Sequence, residues 1–112
     1  MNIGGASRDE RYASVVPQVI SYITEDTTLT VNQRFVRATP NGTADVTLTL
    51  PSVEATMGLI YDIESIANAG YDIILNDAVG TQVGDNLTTT DDYITVVSNG
   101  LGWRILVEVS TP

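Results

Sequence analysis

Leu87-Thr-Thr-Thr-Asp-Asp-Tyr93-Ile-Thr-Val-Val-Ser98-Asn-Gly-Leu-Gly-Trp103-Arg-Ile-Leu-Val-Glu-Val109 is the stretch that decides the fold class. Two runs of alternating hydrophobicity flank a glycine-punctuated turn at Ser98–Gly102, and the chain's only tryptophan opens the second run. A strand points successive side chains to opposite faces. Trp103, Ile105, Val107 and Val109 therefore share one face, and Arg104, Leu106 and Glu108 share the other. The pattern predicts a β-hairpin whose second strand delivers Trp103, Ile105 and Val107 to a hydrophobic core.

The same alternation recurs upstream. Val19–Thr24 is rich in β-formers and ends at Glu25-Asp26. Leu29–Val31 and Arg34–Thr39 follow, broken by Pro40-Asn41-Gly42, a strong turn signal. Val46–Leu50 alternates and stops at Pro51, after which Ser52–Met57 has room for one helical turn ended by Gly58. Leu59–Ala67 sets Tyr61 and Ile63 against Asp62 and Glu64, and Tyr71–Leu75 leads into the longest expected loop, Asn76–Asn86. With no helical period beyond two turns, this predicts an all-β, sandwich- or jelly-roll-like domain of about eight short antiparallel strands. Its core is expected to hold Leu48, Leu50, Ile63, Ile73, Ile94 and Val96 besides the residues of the last strand. Residues 29–42 also echo 87–100, with Leu29/Leu87, Phe35/Tyr93, Val36/Ile94 and Ala38/Val96 in step. Two equivalent hairpins would explain that echo, as would convergent hairpin composition.

Residues 1–17 differ from the β-domain at 18–112. Gly4-Gly5 is followed by Ser7-Arg8-Asp9-Glu10, which matches a capping box, and Pro17 closes the segment. Two readings stand side by side: a frayed tail, or an extended arm that orders against a partner. The segment carries Arg8, Arg11 and Tyr12, two of the five basic residues among them.

Composition excludes most chemistry. There are 14 acidic residues against 5 basic, all of them Arg, for a net charge of −9; Lys, His and Cys are absent. Nucleic acid and anionic membranes need clustered cations and are unexpected partners. The N-terminal residues have no apolar core of a secretory signal, and no apolar run is long enough to span a bilayer. Without imidazole, thiol or amine there is no triad, no Schiff base and no good zinc ligand set. Asp62 and Glu64 lie at a spacing that suits a glycosidase pair, but no stacking aromatics accompany them. Oxygen ligands for calcium gather at Asn76-Asp77, Asp85-Asn86 and Asp91-Asp92 without forming an EF-hand loop, and such residues ordinarily serve turn geometry. The glycines at 80, 84, 100 and 102 read as turn glycines, with no phosphate loop among them. No enzyme activity, metal or cofactor is expected.

Thr47-Leu48-Thr49-Leu50-Pro51, then Gly58, Tyr61-Asp62-Ile63 and Tyr71-Asp72-Ile73-Ile74 form one half of a pattern. Its second half is Tyr93-Ile94-Thr95-Val96-Val97-Ser98-Asn99-Gly100 with Trp103-Arg104-Ile105. Over residues 45–106 this resembles a β-domain of tailed-bacteriophage virion proteins, found in capsid decoration (cement) proteins and in tail-fibre and tail-tip modules. Asn99 stands where that family often has Asp, and Gly80–Gly84 replaces a longer glycine loop. The resemblance implies a trimeric structural protein on the outer capsid surface, with itself and the major capsid protein as partners. Residues 1–17, through Arg8, Arg11 and Tyr12, are the expected capsid-binding arm. A chain that runs from Met1 to Pro112 without a shaft repeat fits a decoration protein better than a fibre. The alternative is a receptor- or glycan-binding tail component acting through loop tips at 41–44 and 76–86. A free-standing carbohydrate module is a third reading, which needs an exposed aromatic platform.

Overall fold

The computed structural model describes residues 19–67 and 70–111. The expected arm at 1–17, with Arg8, Arg11, Tyr12 and the capping box, lies outside the described residues. Eight strands form in order: β1 (Ile20–Ile23), β2 (Thr27–Thr28), β3 (Phe35–Ala38), β4 (Val46–Thr49), β5 (Ile60–Ser65), β6 (Ile73–Asn76), β7 (Tyr93–Ser98) and β8 (Trp103–Val109). There is no helix among the described residues. The fold is all-β, as the alternation predicts.

The strands lie in two sheets, ordered β1-β3-β5-β7-β8 and β2-β4-β6. The expected antiparallel arrangement holds only at the C-terminal end. β1, β3 and β5 pair in parallel, as do β2, β4 and β6; only β5–β7 and β7–β8 are antiparallel. The chain crosses from the large sheet to the small one and back three times, making three stacked coils like those of a β-solenoid. Parallel neighbours need a crossover, and here a strand of the opposite sheet supplies it where a helix usually does. Ile20 sits beside Phe35, and Phe35 beside Asp62, so successive coils advance 15 and 27 residues. Coils of such unequal length leave no sequence period.

Side chains as well as backbone join the coils. Asp26 Oδ1 accepts the Thr47 N–H at 2.8 Å, and Asp45 Oδ1 accepts the Asp72 N–H at 2.9 Å, each reaching into the next coil. Asp72 Oδ2 then accepts Asn86 Nδ2 at 2.9 Å. The residues after β6 turn back along it, with Val83 N–H donating to the Leu75 carbonyl and Leu87 exchanging both backbone bonds with Ile73.

The core lies between the sheets. Leu48, Leu50, Ile63, Ile73, Ile94 and Val96 are fully buried there, as expected. Tyr61, Val36, Val46, Leu29 and Leu87 join them. Burying a side chain of this size contributes about 1.5–3 kcal/mol, so these aliphatic residues carry the fold.

Three expectations are corrected. Ile105 and Val107 are 40% and 42% exposed and do not belong to the core. β8 is an edge strand of the five-stranded sheet, paired only with β7. A register shift against Thr95/Val96 also leaves Leu106 unpaired, so that Ile105 faces inward with Val96 while Val107 faces outward with Thr95. The strict alternation read from the sequence is thereby broken in mid-strand. Second, residues 29–42 form no hairpin, since β3 pairs in parallel on both sides. The echo with 87–100 does mark equivalent buried positions, Leu29/Leu87, Val36/Ile94 and Ala38/Val96. Third, Ser52–Met57 makes consecutive turns rather than a helical turn, closed by Thr56 N–H to the Val53 carbonyl and Leu59 N–H to the Thr56 carbonyl.

Candidate functional site

Two surfaces stand out once the core is assigned. The first is the outer face of the five-stranded sheet. Register places Ile20, Phe35, Asp62, Thr95 and Val107 in one row across all five strands, and Tyr22, Arg37, Glu64, Tyr93 and Val109 in the next. Ile60, Val97 and Arg104 form a third, shorter row. Sheets that face water usually alternate apolar-in and polar-out. Here the outward residues include Ile20, Tyr22, Phe35, Ile60, Val107 and Val109, all exposed. Arg37, Asp62 and Glu64 divide these into an end with Ile20, Tyr22 and Phe35 and an end with Val107 and Val109, and exposed apolar patches of this kind mark an interaction surface.

The charges on this face are few and clustered. Arg37 Nε lies 3.2 Å from Glu64 Oε1, near enough to pair the charges but not aligned for a hydrogen bond. At this exposure such a pair contributes little to stability. Asp62 stands between Phe35 and Thr95. Burial pushes its carboxyl above the ordinary value and the nearby Glu64 charge adds to this, against the Thr95 hydroxyl that donates to Oδ1 at 3.4 Å. Ile20, Phe35, Arg37, Asp62 and Glu64 border a shallow depression of about 270 Å³.

The second surface is the loop end where the β7–β8 turn meets residues 52–54 and 77–79. Trp103 is half-buried here, not wholly inside the core as expected. Its ring packs against the core at Tyr61, and its outer part lines a groove of about 230 Å³ with Ser52, Val53, Glu54, Asp77 and Leu101. The indole N–H is buried without an acceptor among the described residues. Leu101 and Val79 rise from the two turns beside it, 92% and 86% exposed.

Asp77 and Asp92, two of the oxygen-rich positions expected to suit calcium, have other duties. Asp77 Oδ1 accepts the N–H groups of Val79 and Thr81 within its own turn. Asp92 is buried and accepts from Thr88, Thr89 and Thr111. Among the described residues, no group of three or more Asp or Glu side chains is placed to hold a metal ion. No helix among them is long and apolar enough to cross a membrane.

The outer sheet face was not legible as a site in the sequence, whereas the loop end falls partly within the 76–86 loop tip named for a binding role. The outer face escaped notice because its residues come from five separated strands, and only the register aligns them. The loop end also offered a faint signal, an aliphatic residue next to a turn glycine, Val79 before Gly80 and Leu101 between Gly100 and Gly102.

No protein-family model, curated protein or solved structure matches this chain.

Proposed function

We propose that this chain is a structural virion protein, a homotrimeric capsid decoration (cement) protein that seats on the outside of a phage head and braces contacts between capsid subunits. The observation that carries the reading is the set of apolar side chains on the outer face of the five-stranded sheet, Ile20, Tyr22, Phe35, Ile60, Val107 and Val109, which are exposed among the described residues. A protein that acts by burying area needs such a face and no catalytic group. Self-association through Phe35, Ile60, Val107 and Val109 would bury what a thin core cannot. The trimer number comes from the resemblance over residues 45–106. Three copies bring three times the chain's −9 charge, so apolar contact must outweigh repulsion, and the major capsid protein should meet the trimer with Arg or Lys. Residues 1–17, with Arg8, Arg11 and Tyr12, are the capsid-docking arm in this reading.

The test has two parts. Light scattering on the purified protein should return three times the 12.0 kDa chain mass, and Phe35→Ser with Val109→Ser should return the monomer. A monomeric wild type would refute the self-association. Deleting residues 2–16 should abolish binding to undecorated heads while leaving the trimer intact, and unchanged occupancy would sink the arm. The alternative, a receptor- or glycan-binding tail component using tips at 41–44 and 76–86, is separated by immunogold labelling of intact particles.

A further inference from the structure

The two turns at the loop end are built without help from the side chains at their tips. In Asp77-Ala78-Val79-Gly80, Asp77 Oδ1 accepts the Val79 N–H at 3.0 Å and the Thr81 N–H at 2.8 Å, while Gly80 supplies the φ of +94°. In Asn99-Gly100-Leu101-Gly102, Asn99 Oδ1 accepts the Leu101 and Gly102 N–H groups at 2.9 Å each, and Gly100 supplies the φ of +88°. Asp, Asn and Gly thus define both turns. Val79 and Leu101 add nothing to them, and polar residues would serve equally well at positions so exposed.

A single exposed leucine needs no explanation. Two aliphatic side chains held by rigid turns on one groove, with the only tryptophan in its wall, are a different case. Anchors already fixed in place lose little freedom on binding, which is the economy that interface hot spots exploit. Charge narrows the occupant. Among the described residues the groove is bordered by Glu54 and Asp77 and by no basic residue, and a second copy would bring the same acids against them. Like charges set face to face disfavour an interface.

We propose that Val79, Leu101 and Trp103 form a docking site for an exposed segment of a partner protein that combines apolar side chains with Arg or Lys. The site shares no residue with the depression on the outer sheet face, and it stands whether or not the chain is a capsid protein.

The probe is a displayed library of linear peptides, selected on the full-length protein and depleted on the Val79→Ser/Leu101→Ser double variant. Selected peptides should combine Leu, Phe or Trp with Arg or Lys, and should shift Trp103 fluorescence. They should lose about tenfold or more in affinity for the double variant, in keeping with hot-spot truncation, and should weaken as salt rises. The double variant should keep the wild-type melting temperature, because neither side chain is packed. Failure to enrich peptides, or equal binding to the variant, overturns the proposal. So does a change of oligomeric state in the variant, which would make the tips a contact between copies. Co-flotation of wild type but not variant with phosphatidylcholine vesicles overturns it in favour of a lipid surface. Peptide and vesicle binding do not depend on trimer formation through Phe35 and Val109, so the two proposals fail separately.

Discussion

The Trp103 ring meets the Tyr61 ring edge-on, with centroids 5.5 Å apart and planes at 90°. This contact joins the first residue of the outermost strand, β8, to the largest fully buried side chain of the core. Edge-to-face aromatic pairs contribute about 0.5–1.5 kcal/mol beyond the area they bury. The Tyr61 hydroxyl donates to the Thr30 carbonyl at 2.7 Å, so the tyrosine also fixes the loop that precedes β3. Burial raises its pKa, with the Arg34 charge opposing.

Removing the hydroxyl and removing the ring should therefore be separable. Tyr61→Phe is expected to cost about 1 kcal/mol through the lost bond to Thr30. Tyr61→Ala should cost about 3–5 kcal/mol and should red-shift Trp103 emission as the indole loses its cover. Urea denaturation followed at Trp103 measures both. In the wild type, acrylamide should quench Trp103 more slowly than free indole; equal quenching would show that the indole is not held against Tyr61.

Asp92 sets the acid limit of stability. Its carboxylate accepts the N–H groups of Thr88, Thr89 and Thr111 at 3.0, 3.1 and 3.0 Å, and the Thr89 and Thr111 hydroxyls at 3.0 Å each. Burial by itself pushes the carboxyl upward, but the backbone bonds from Thr111, Thr88 and Thr89 and the Thr111 hydroxyl together hold it down, from 3.8 to about 2. A depressed carboxylate contributes stability above its unfolded pKa and loses it as pH falls through the folded one. The contribution is roughly 2.5 kcal/mol at neutral pH, lost between about pH 5 and pH 2. Asp92→Asn should remove most of this acid dependence and destabilise the protein at pH 7 by about 2–4 kcal/mol. Denaturation midpoints measured from pH 7 down to pH 2 check both effects.

Asp62 should behave in the opposite sense. Its carboxyl is raised by burial and by Glu64, against the Thr95 hydroxyl. A raised carboxyl costs stability while it is ionised, and the cost is relieved as pH falls through its folded pKa. Asp62→Asn is therefore expected to raise the melting temperature slightly at pH 7, with the gain vanishing in acid. If the outer sheet face is a contact between copies, the same variant should tighten association at pH 7, read by sedimentation equilibrium.

The glycines at 84 and 100 should differ in their tolerance. Both have positive φ, +74° and +88°, so an L side chain costs about 1–2 kcal/mol at either place. A Cβ on Gly100 would lie 2.7 Å from Met57 Cε, the free end of an exposed side chain that can move. A Cβ on Gly84 would strike Ile94 Cδ1 in the core and come within 2.8 Å of Glu108 Oε2, whose carboxylate accepts the Asp85 N–H. Gly100→Ala should lose only the conformational cost, and Gly84→Ala clearly more. Melting curves of the two variants rank them.

What the sequence settled by itself was local. Alternation at Val46–Leu50, Tyr61–Ile63 and Ile94–Val96 fixed which side chains go inward, because the two-residue period belongs to any strand whatever its partner. The turn at Ser98–Gly102 fixed the β7–β8 hairpin, because Asn99 and Gly100 carry the chemistry of that turn themselves. Pairing direction was not legible. β3 reads the same whether its neighbours run with it or against it, and parallel pairing depends on a crossover through another sheet that leaves no local mark. For the same reason Ile105 and Val107 looked like core: the register shift against Thr95/Val96 that turns Val107 outward, and the edge position of β8 that leaves Ile105 exposed, belong to the sheet and not to the strand's own sequence. The rows from Ile20 to Val107 and from Tyr22 to Val109 unite residues far apart in the chain. Only the stacking of the coils decides such neighbours.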